Sequence, residues 1–311
     1  MRVAITGASG FLGREVVRQL FRAGHSVRAI VRDTSLGAIE DAAETVAAGD
    51  LLTAPLESLV GDCDAVVNCA ARVHVTAKEN TAVASAAYED MNVEFPIRLA
   101  RAARTHGCGH FIQMSSVAAI GSVTPERTVV GDGFPPAPTT PYGRSKLKAD
   151  QALARLARPG FVVTSLRPPT IYDRDVGAFF ARIRRAASIG LPLPLARIDN
   201  LRSFAFRGNI AGAVIATIAR PIDGAYLVTD SDPISTACLY RLLLARYGYG
   251  DRVFALPQAL VWAGAGAILG DRAASLLGDS AFRSENFRKT FHWTPRFDME
   301  DALARTTGEG S

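Results

Sequence analysis

Tyr142 and Lys146, four residues apart, are the side chains of this sequence best suited to moving a proton. On a helix, residues four apart share a face, so the phenol and the ammonium project together. A phenol with a pKa of about 10 is a poor acid or base at neutral pH, and an adjacent cation stabilises its phenolate. Taken alone, such a pair is more often a surface Tyr–Lys contact than a catalytic one.

Ser116 makes a catalytic role for the pair more favourable than a surface contact. It follows residues 111–114, which predict a buried strand. A serine there can hydrogen-bond a carbonyl or alcohol oxygen while Tyr142 moves a proton to or from the same oxygen. No side chain can supply or accept a hydride, so this chemistry requires a nicotinamide.

A glycine-rich stretch near the start of the chain predicts where that nicotinamide cofactor binds. Apolar residues 3–6 predict a short strand, and residues 11–21 have the apolar spacing of a helix. Between them, a tight turn, close approach of a pyrophosphate and close helix packing each require a glycine. The helix N-terminus offers unpaired N–H groups to the pyrophosphate. An ordinary tight turn is the structural alternative. The cofactor contacts predicted here are Gly7, Ser9, Gly10, Phe11, Leu12 and Gly13.

The second predicted strand, Ser26–Val31, is followed by Arg32 and Asp33. An acidic residue at this strand end binds the ribose hydroxyls of NAD, whereas an arginine matches the 2′-phosphate of NADP. Arg32 therefore favours NADP, and an inward-turned Asp33 would favour NAD. A solvated loop charge is the structural alternative for Arg32. A third strand near residues 46–48 would place Asp50 and Leu51 beside the adenine.

Later elements bring the remaining candidates to the same sheet edge. A strand over 65–69 ends in small residues that let a cofactor lie close, namely Cys69, Ala70 and Ala71. A helix over 82–105 carries Asn92, a helix over 142–156 carries Tyr142 and Lys146, and a strand over 161–166 follows. This alternation predicts an α/β fold with a doubly wound parallel sheet of the Rossmann type.

The pattern changes after residue 166, where the chain becomes rich in arginine, glycine and proline. Residues 226–229 predict one more strand of the sheet. We therefore assign residues 1–166 and 205–230 to the dinucleotide-binding domain. Residues 167–204 and 231–311 are assigned to a smaller, discontinuous substrate lobe. Substrates usually bind in clefts at such interfaces.

Composition narrows the class of protein further. The 311 residues are 48% hydrophobic and 21% charged, which is typical of a soluble globular protein. Four scattered cysteines lack metal or redox spacing and no signal peptide is evident, so we expect a cytoplasmic protein without a metal site. A net charge of +5, spread along the chain, fits an anionic small molecule better than nucleic acid. The apolar stretch 255–270 is shorter than the ~20 residues of a transmembrane helix, but it leaves a weak peripheral membrane contact open.

In combination, these motifs resemble the extended short-chain dehydrogenase/reductase family, also described as NAD-dependent epimerases/dehydratases. The matching marks occur in order over the first 172 residues: Gly7/Gly10/Gly13, Asn68-Cys69-Ala70-Ala71, Ser115-Ser116, Tyr142/Lys146 and Arg167-Pro168 followed by Ile171-Tyr172. The resemblance implies a Rossmann domain, a nucleotide-sugar substrate and catalytic Ser116, Tyr142 and Lys146. It also implies that Lys146 holds the nicotinamide ribose, that Asn92 supports this network and that Pro169 contacts the cofactor.

Finer marks are similar to a branch of bacterial polysaccharide-biosynthesis enzymes. These marks are the run 70–75, Asn209-Ile210 after Arg202-Ser203, and the closing Trp293-Thr294-Pro295. The branch includes NADPH-dependent 4-reductases of UDP-4-keto-6-deoxy-N-acetylhexosamines, and related enzymes dimerise through helices matching 82–105 and 142–156. By this resemblance Arg202 grips the diphosphate, although Asn209 replaces an aspartate common in the wider family. The substrate contacts implied are His74, Ser116, Val117, Thr170 and Arg202.

Several other activities use the same motifs. A 4,6-dehydratase places an acidic pair after the catalytic hydroxyl residue, whereas Ser116 is followed here by residues that cannot donate or accept a proton. An NAD-dependent UDP-sugar 4-epimerase, a reductase of a non-sugar carbonyl and a non-catalytic NADP-binding sensor all remain. The presence of both Tyr142 and Lys146 favours an enzyme over a sensor.

Overall fold

The fold is built on a seven-stranded sheet in which every pairing is parallel. We describe it from a computed structural model over residues 1–35, 37–73, 82–174, 178–269, 273 and 277–308. The strand order is β3-β2-β1-β4-β5-β6-β9, so chain order reverses between β1 and β4 and opens a ligand crevice there. The strands are β1 Arg2–Thr6, β2 Ser26–Val31, β3 Glu44–Ala47, β4 Ala65–Asn68, β5 His110–Met114, β6 Val162–Arg167 and β9 Gly224–Leu227.

Helices cover both faces of this sheet, which is why its central strands are buried along almost their whole length. Helices α1 and α7 pack on one face, and α2, α4 and α5 pack on the other. The helices are α1 Phe11–Arg22, α2 Leu56–Val60, α3 Ala82–Glu89, α4 Phe95–Thr105, α5 Pro141–Ala154, α6 Ala178–Ser188, α7 Arg207–Ala219, α8 Thr236–Arg246, α9 Gln258–Leu269, α10 Glu285–Phe291 and α11 Met299–Thr307.

A second hydrophobic core lies outside the main sheet. Two short parallel strands, β7 Thr170–Tyr172 and β8 Phe204–Phe206, pair with each other, and their aromatic side chains pack with α6, α8 and α11. Phe287, Phe291 and Trp293, from the region assigned to the smaller lobe, pack instead into the main core with α1 and α7. The domain division therefore stays a prediction.

The sequence-based elements agree with the structure to within one or two residues at most ends. The long helix expected over 82–105 is interrupted by a π-helical turn, Asp90–Glu94. The last strand begins two residues earlier than expected, and α2, β7 and β8 were not predicted. Across the described part of the chain, no helix combines the length and apolarity needed to cross a membrane.

Candidate functional site

The loop between β1 and α1 packs so tightly against neighbouring backbone that a side chain would not fit at Gly7 or Gly13. Gly7 has φ +68, and a Cβ there would lie 2.8 Å from the backbone nitrogen of Ala70 at the end of β4. A Cβ on Gly13 would lie only 2.1 Å from the carbonyl oxygen of Gly7. Gly10 is the N-cap of α1, contributes no side-chain cap, and precedes a first turn without acidic residues. This cradle and its free helix end suit a pyrophosphate.

Replacing Gly13 with alanine is expected to lower cofactor affinity by at least about tenfold and stability by about 1–3 kcal/mol, because the loop must move away from α1. Gly264→Ala is the matched control, since a Cβ there meets nothing within 4 Å. Cofactor fluorescence titration and thermal unfolding measure both effects. Unchanged cofactor affinity in Gly13→Ala would show that the close packing does not shape the binding loop.

The other predicted cofactor residues lie at neighbouring strand ends. Cys69, Ala70 and Ala71 follow β4, and Pro169 separates β6 from β7. Arg32 is exposed after β2, while the carboxylate of Asp33 accepts hydrogen bonds from the backbone and side chain of Ser35. Asp33 is therefore engaged in its own turn.

Asp50 caps its own loop in a similar way. Its carboxylate accepts a hydrogen bond from the Leu52 N–H at 3.0 Å, and Leu51 is half-buried beside it. Both residues follow β3, and the glycine loop follows β1, so all of them lie at the carboxyl ends of the parallel strands.

Asn92 lies in the π-helical turn and connects two parts of the site. Its side-chain oxygen accepts from the Arg72 N–H at 2.8 Å, and its amide donates to the Arg72 carbonyl at 3.0 Å and to the Ser145 hydroxyl at 3.0 Å. The loop after β4 is thereby fixed to α5. π-Helical turns are rare and frequently mark functional sites.

Ser116, Tyr142 and Lys146 meet at the carboxyl end of β5. Thr140 caps α5 by accepting from the Gly143 N–H at 3.0 Å, which fixes where Tyr142 begins its turn. The Tyr142 hydroxyl and the Ser116 side chain are hydrogen-bonded. Lys146 Nζ donates to the Met114 carbonyl at 2.9 Å and lies 5.8 Å from the centre of the Tyr142 ring. The structure thus brings the three predicted catalytic residues together.

The protonation of this group differs from the sequence expectation. Burial raises the pKa of Tyr142 to about 12, outweighing the lowering by the Ser116 hydrogen bond. Burial also lowers the pKa of Lys146 to about 8, although Asp150 opposes this. In the protein without cofactor, Lys146 therefore does not lower the pKa of the Tyr142 phenol towards neutral pH. Tyr142 keeps its proton at neutral pH.

A carboxylate behind the lysine was missed by sequence reasoning. Asp150 is buried, accepts a hydrogen bond from Ser115 Oγ at 2.9 Å, and forms an ion pair with Arg167 at 2.8 Å. The signal was present, because Asp150 lies four residues after Lys146 on the same face of α5. Its negative charge favours the protonated forms of Lys146 and Tyr142.

The predicted substrate residues are distributed less tightly. Val117 is buried in a 3₁₀ turn after Ser116, and its N–H donates to the Pro168 carbonyl at 3.0 Å. Thr170 opens β7. Arg202 is 5% exposed, burial lowers its pKa to about 10, and its Nη1 donates to the Gly278 carbonyl at 3.1 Å. His74 lies outside the described residues.

A cavity of about 420 Å³ lies beside Arg202, at the level of Gly278. Sequence reasoning did not single out its charged and aromatic side chains, since single residues on separate segments of the chain leave no spacing pattern. These side chains are Arg127, Arg197, Glu126, Asp199, Asp279 and Trp262, and Arg127 is ion-paired with Asp199.

Comparison with known proteins gives a consistent result. A family model described as the NAD dependent epimerase/dehydratase family matches residues 3–228. The UDP-glucose 4-epimerase of Vibrio cholerae is 31% identical over 251 residues, which cover 78% of this chain and 74% of the relative. A probable dTDP-4,6-dihydroxy-2-methyloxan-3-one 4-ketoreductase of Streptomyces antibioticus is 31% identical over 223 residues, covering 71% and 68%.

Solved structures show the same fold at lower identity. The human epimerase family protein SDR39U1 with NADPH superposes with a TM-score of 0.78 at 19% identity, covering 100% of both chains. The UDP-glucuronic acid 4-epimerase of Bacillus cereus with NAD gives 0.77 at 18% identity, covering 98% and 94%. The family model spans most of the chain, and the strand order of the protein is that of a Rossmann sheet. This protein therefore belongs to the NAD dependent epimerase/dehydratase family of extended short-chain dehydrogenases/reductases, which use a nicotinamide cofactor.

Proposed function

We propose that this enzyme reduces the 4-keto group of a UDP-4-keto-6-deoxy-N-acetylhexosamine with NADPH, in bacterial polysaccharide biosynthesis. The observation that carries this is the Tyr142 hydroxyl, which is hydrogen-bonded to Ser116 and has its pKa raised to about 12. A protonated phenol at the end of β5 can give its proton to a carbonyl oxygen. The ketone is thereby favoured over the alcohol as the form that enters the site.

The chain's own residues divide the work. Ser116 hydrogen-bonds the substrate oxygen and orients it towards Tyr142, which donates the proton. Lys146 holds the nicotinamide ribose, and its buried ammonium favours the charge left on Tyr142 after transfer. NADPH supplies the hydride when bound. The glycine loop fits its pyrophosphate, since the N-terminus of α1 at Gly10 has no side-chain cap and no acidic residue in its first turn.

The preference for NADPH rests on the end of β2. Arg32 is exposed there, and Asp33 is turned towards Ser35. A guanidinium in this position matches a 2′-phosphate. Asp50 and Leu51 would contact the adenine, and Pro169 would contact the cofactor from the end of β6.

The substrate assignment rests on the arginines of this cavity and on the relatives. Arg127 and Arg197 line the cavity of about 420 Å³ together with Glu126, Asp199 and Asp279, so an anionic group would have to bind at its arginines, and Arg202 donates to the Gly278 carbonyl at its edge. Arg202 would have to turn from the Gly278 carbonyl to grip a diphosphate. The relatives act on UDP-linked and dTDP-linked sugars by name, and Val117 and Thr170 would line the sugar pocket with His74.

A UDP-sugar 4-epimerase is the second candidate, because the Vibrio cholerae relative carries that activity by name. An epimerase keeps NAD bound through a complete cycle, whereas a reductase exchanges NADPH at each turnover. The decisive experiment incubates the purified protein with NADPH and a UDP-4-keto-6-deoxy-N-acetylhexosamine. Stoichiometric NADPH oxidation is expected. Copurified NAD, together with interconversion of UDP-N-acetylglucosamine and UDP-N-acetylgalactosamine, would establish the epimerase instead.

Arg32→Ser is expected to raise the KM for NADPH by about 10–100-fold and to leave the KM for NADH nearly unchanged, because a charge-assisted hydrogen bond contributes about 1.5–3 kcal/mol. Arg22→Ser, at the exposed end of α1, controls for loss of surface charge. Steady-state kinetics with each cofactor gives the result. If the KM rises equally for NADPH and NADH, Arg32 does not bind the 2′-phosphate that distinguishes the two cofactors.

A further inference from the structure

Helix α9 is apolar and largely uncovered. Its sequence from Gln258 to Leu269 contains no charged residue. Val261 is buried, yet its neighbours Leu260 and Trp262 are 60% and 36% exposed. A helix that is apolar all round is normally buried in a core or in lipid, so this helix lacks the covering that its composition calls for.

Apolar residues from two adjoining segments extend the exposed area. Gly190 accepts a hydrogen bond from Arg252 at 2.8 Å, and the Phe254 N–H donates to the Leu193 carbonyl at 3.1 Å, which joins the two segments. We call the combined area the α9 surface. Its exposed side chains are Ile189, Leu191, Phe254, Leu256, Leu260 and Trp262.

The two segments of the chain that carry the α9 surface have a net positive charge. Residues 178–200 and 241–269 contain seven arginines, two aspartates and no other charged residue. Their combined charge of +5 equals that of the whole chain. Both aspartates are in ion pairs, Asp199 with Arg127 at 2.6 Å and Asp251 with Arg241 at 3.0 Å.

We infer that the α9 surface docks this enzyme on an anionic phospholipid bilayer. Apolar side chains with an aromatic residue enter the boundary between headgroups and acyl chains, while surrounding arginines attract acidic headgroups. A second copy would bring two strongly positive surfaces together, which disfavours self-association. Nucleic acid would satisfy the arginines but leave Leu260 and Ile189 without apolar partners.

The geometry of α9 suits a helix lying in the membrane plane. Twelve residues extend about 18 Å, too short to cross the hydrocarbon core of about 30 Å. Gln258 and Trp262 of α9 also line the cavity of about 420 Å³ that contains Arg197. Docking would therefore hold one wall of this cavity against the lipid surface.

The experiment is flotation of the full chain with vesicles of phosphatidylcholine alone or mixed with phosphatidylglycerol, at low and high salt. We expect binding only to the phosphatidylglycerol vesicles, weakened by salt. Leu260→Glu should lower binding by about tenfold or more, and Arg185→Gln by about fivefold. Phe21→Glu, which alters an apolar residue 53% exposed on α1, is the matched control and should bind as the wild type does.

Melting temperatures establish that the variants are folded, and light scattering after gel filtration gives the oligomeric state. Failure of the wild type to float with phosphatidylglycerol would overturn the inference, as would equal flotation of Leu260→Glu. So would a dimer that Leu260→Glu converts to monomer without any vesicle binding, or salt-sensitive DNA binding that does not depend on Leu260. None of these readouts uses turnover, so they are independent of the proposed reaction.

Discussion

Tyr142→Phe is expected to lower kcat for ketone reduction by about 10³-fold while cofactor affinity stays unchanged, since positioned general acids contribute about 10²–10⁴-fold. The variant removes only the hydroxyl that is hydrogen-bonded to Ser116. The ring itself keeps its edge-on contact with Tyr88, whose centre is 6.1 Å away. The loss should therefore fall on proton transfer and not on folding.

Tyr226→Phe is the matched control, because its buried phenol donates to the Asp223 carbonyl at the far end of the sheet. It should retain wild-type turnover. NADPH oxidation gives kcat, and fluorescence titration gives cofactor affinity. Unchanged turnover in Tyr142→Phe would remove Tyr142 from the mechanism. A parallel loss of cofactor binding would instead make it a binding residue.

The parts of the fold that sequence reasoning predicted are those with strong local signals. Ser26–Val31 was predicted to the residue, since five of its six residues are buried and four of those five are apolar. The glycine loop was predicted because Gly7 and Gly13 perform steric tasks that other residues cannot. Ser116 follows the carboxyl end of β5, and Tyr142 and Lys146 are brought to it together because residues four apart share one face of α5.

The remaining features depend on packing that spacing does not encode. β7 and β8 are three residues each and pair across more than thirty residues of chain, so neither has a periodic signal. The pKa of Tyr142 depends on burial, which opposed the effect expected from Lys146. The exposure of α9 was also hidden, because its composition alone fits a buried helix equally well.

Lys146→Met is expected to lower kcat by about 10²–10³-fold and yet to raise stability at neutral pH. Turnover falls because the ribose contact and the charge beside Tyr142 are lost. Stability rises because Lys146 is 1% exposed, and burial lowers the pKa of its ammonium from 10.5 to about 8. At about 1.4 kcal/mol for each pKa unit, that burial costs about 3 kcal/mol. Loss of the hydrogen bond to Met114 offsets about 1 kcal/mol of the gain.

The pH dependence tests the sign of this effect. Between pH 8 and pH 10.5 the unfolded chain holds a proton on Lys146 that the folded chain has released. The free energy of unfolding of the wild type therefore rises with pH between pH 8 and pH 10.5, as the folded chain loses the buried charge. Below pH 8 the ammonium is charged in both states, and its burial lowers the free energy of unfolding by the full amount. The advantage of Lys146→Met should be largest at pH 7 and should shrink towards pH 10.5.

Denaturant unfolding without cofactor at several pH values measures this difference, and steady-state kinetics measures turnover. Lys148→Met is the control on the same helix, because Lys148 is exposed and paired with Glu89. It should change neither turnover nor the pH dependence of stability by a comparable amount. If Lys146→Met is less stable than the wild type at every pH, the ammonium is held by stronger contacts than the carbonyl of Met114, and its buried charge does not oppose folding. If its turnover is also unchanged, Lys146 acts in neither proton transfer nor cofactor binding.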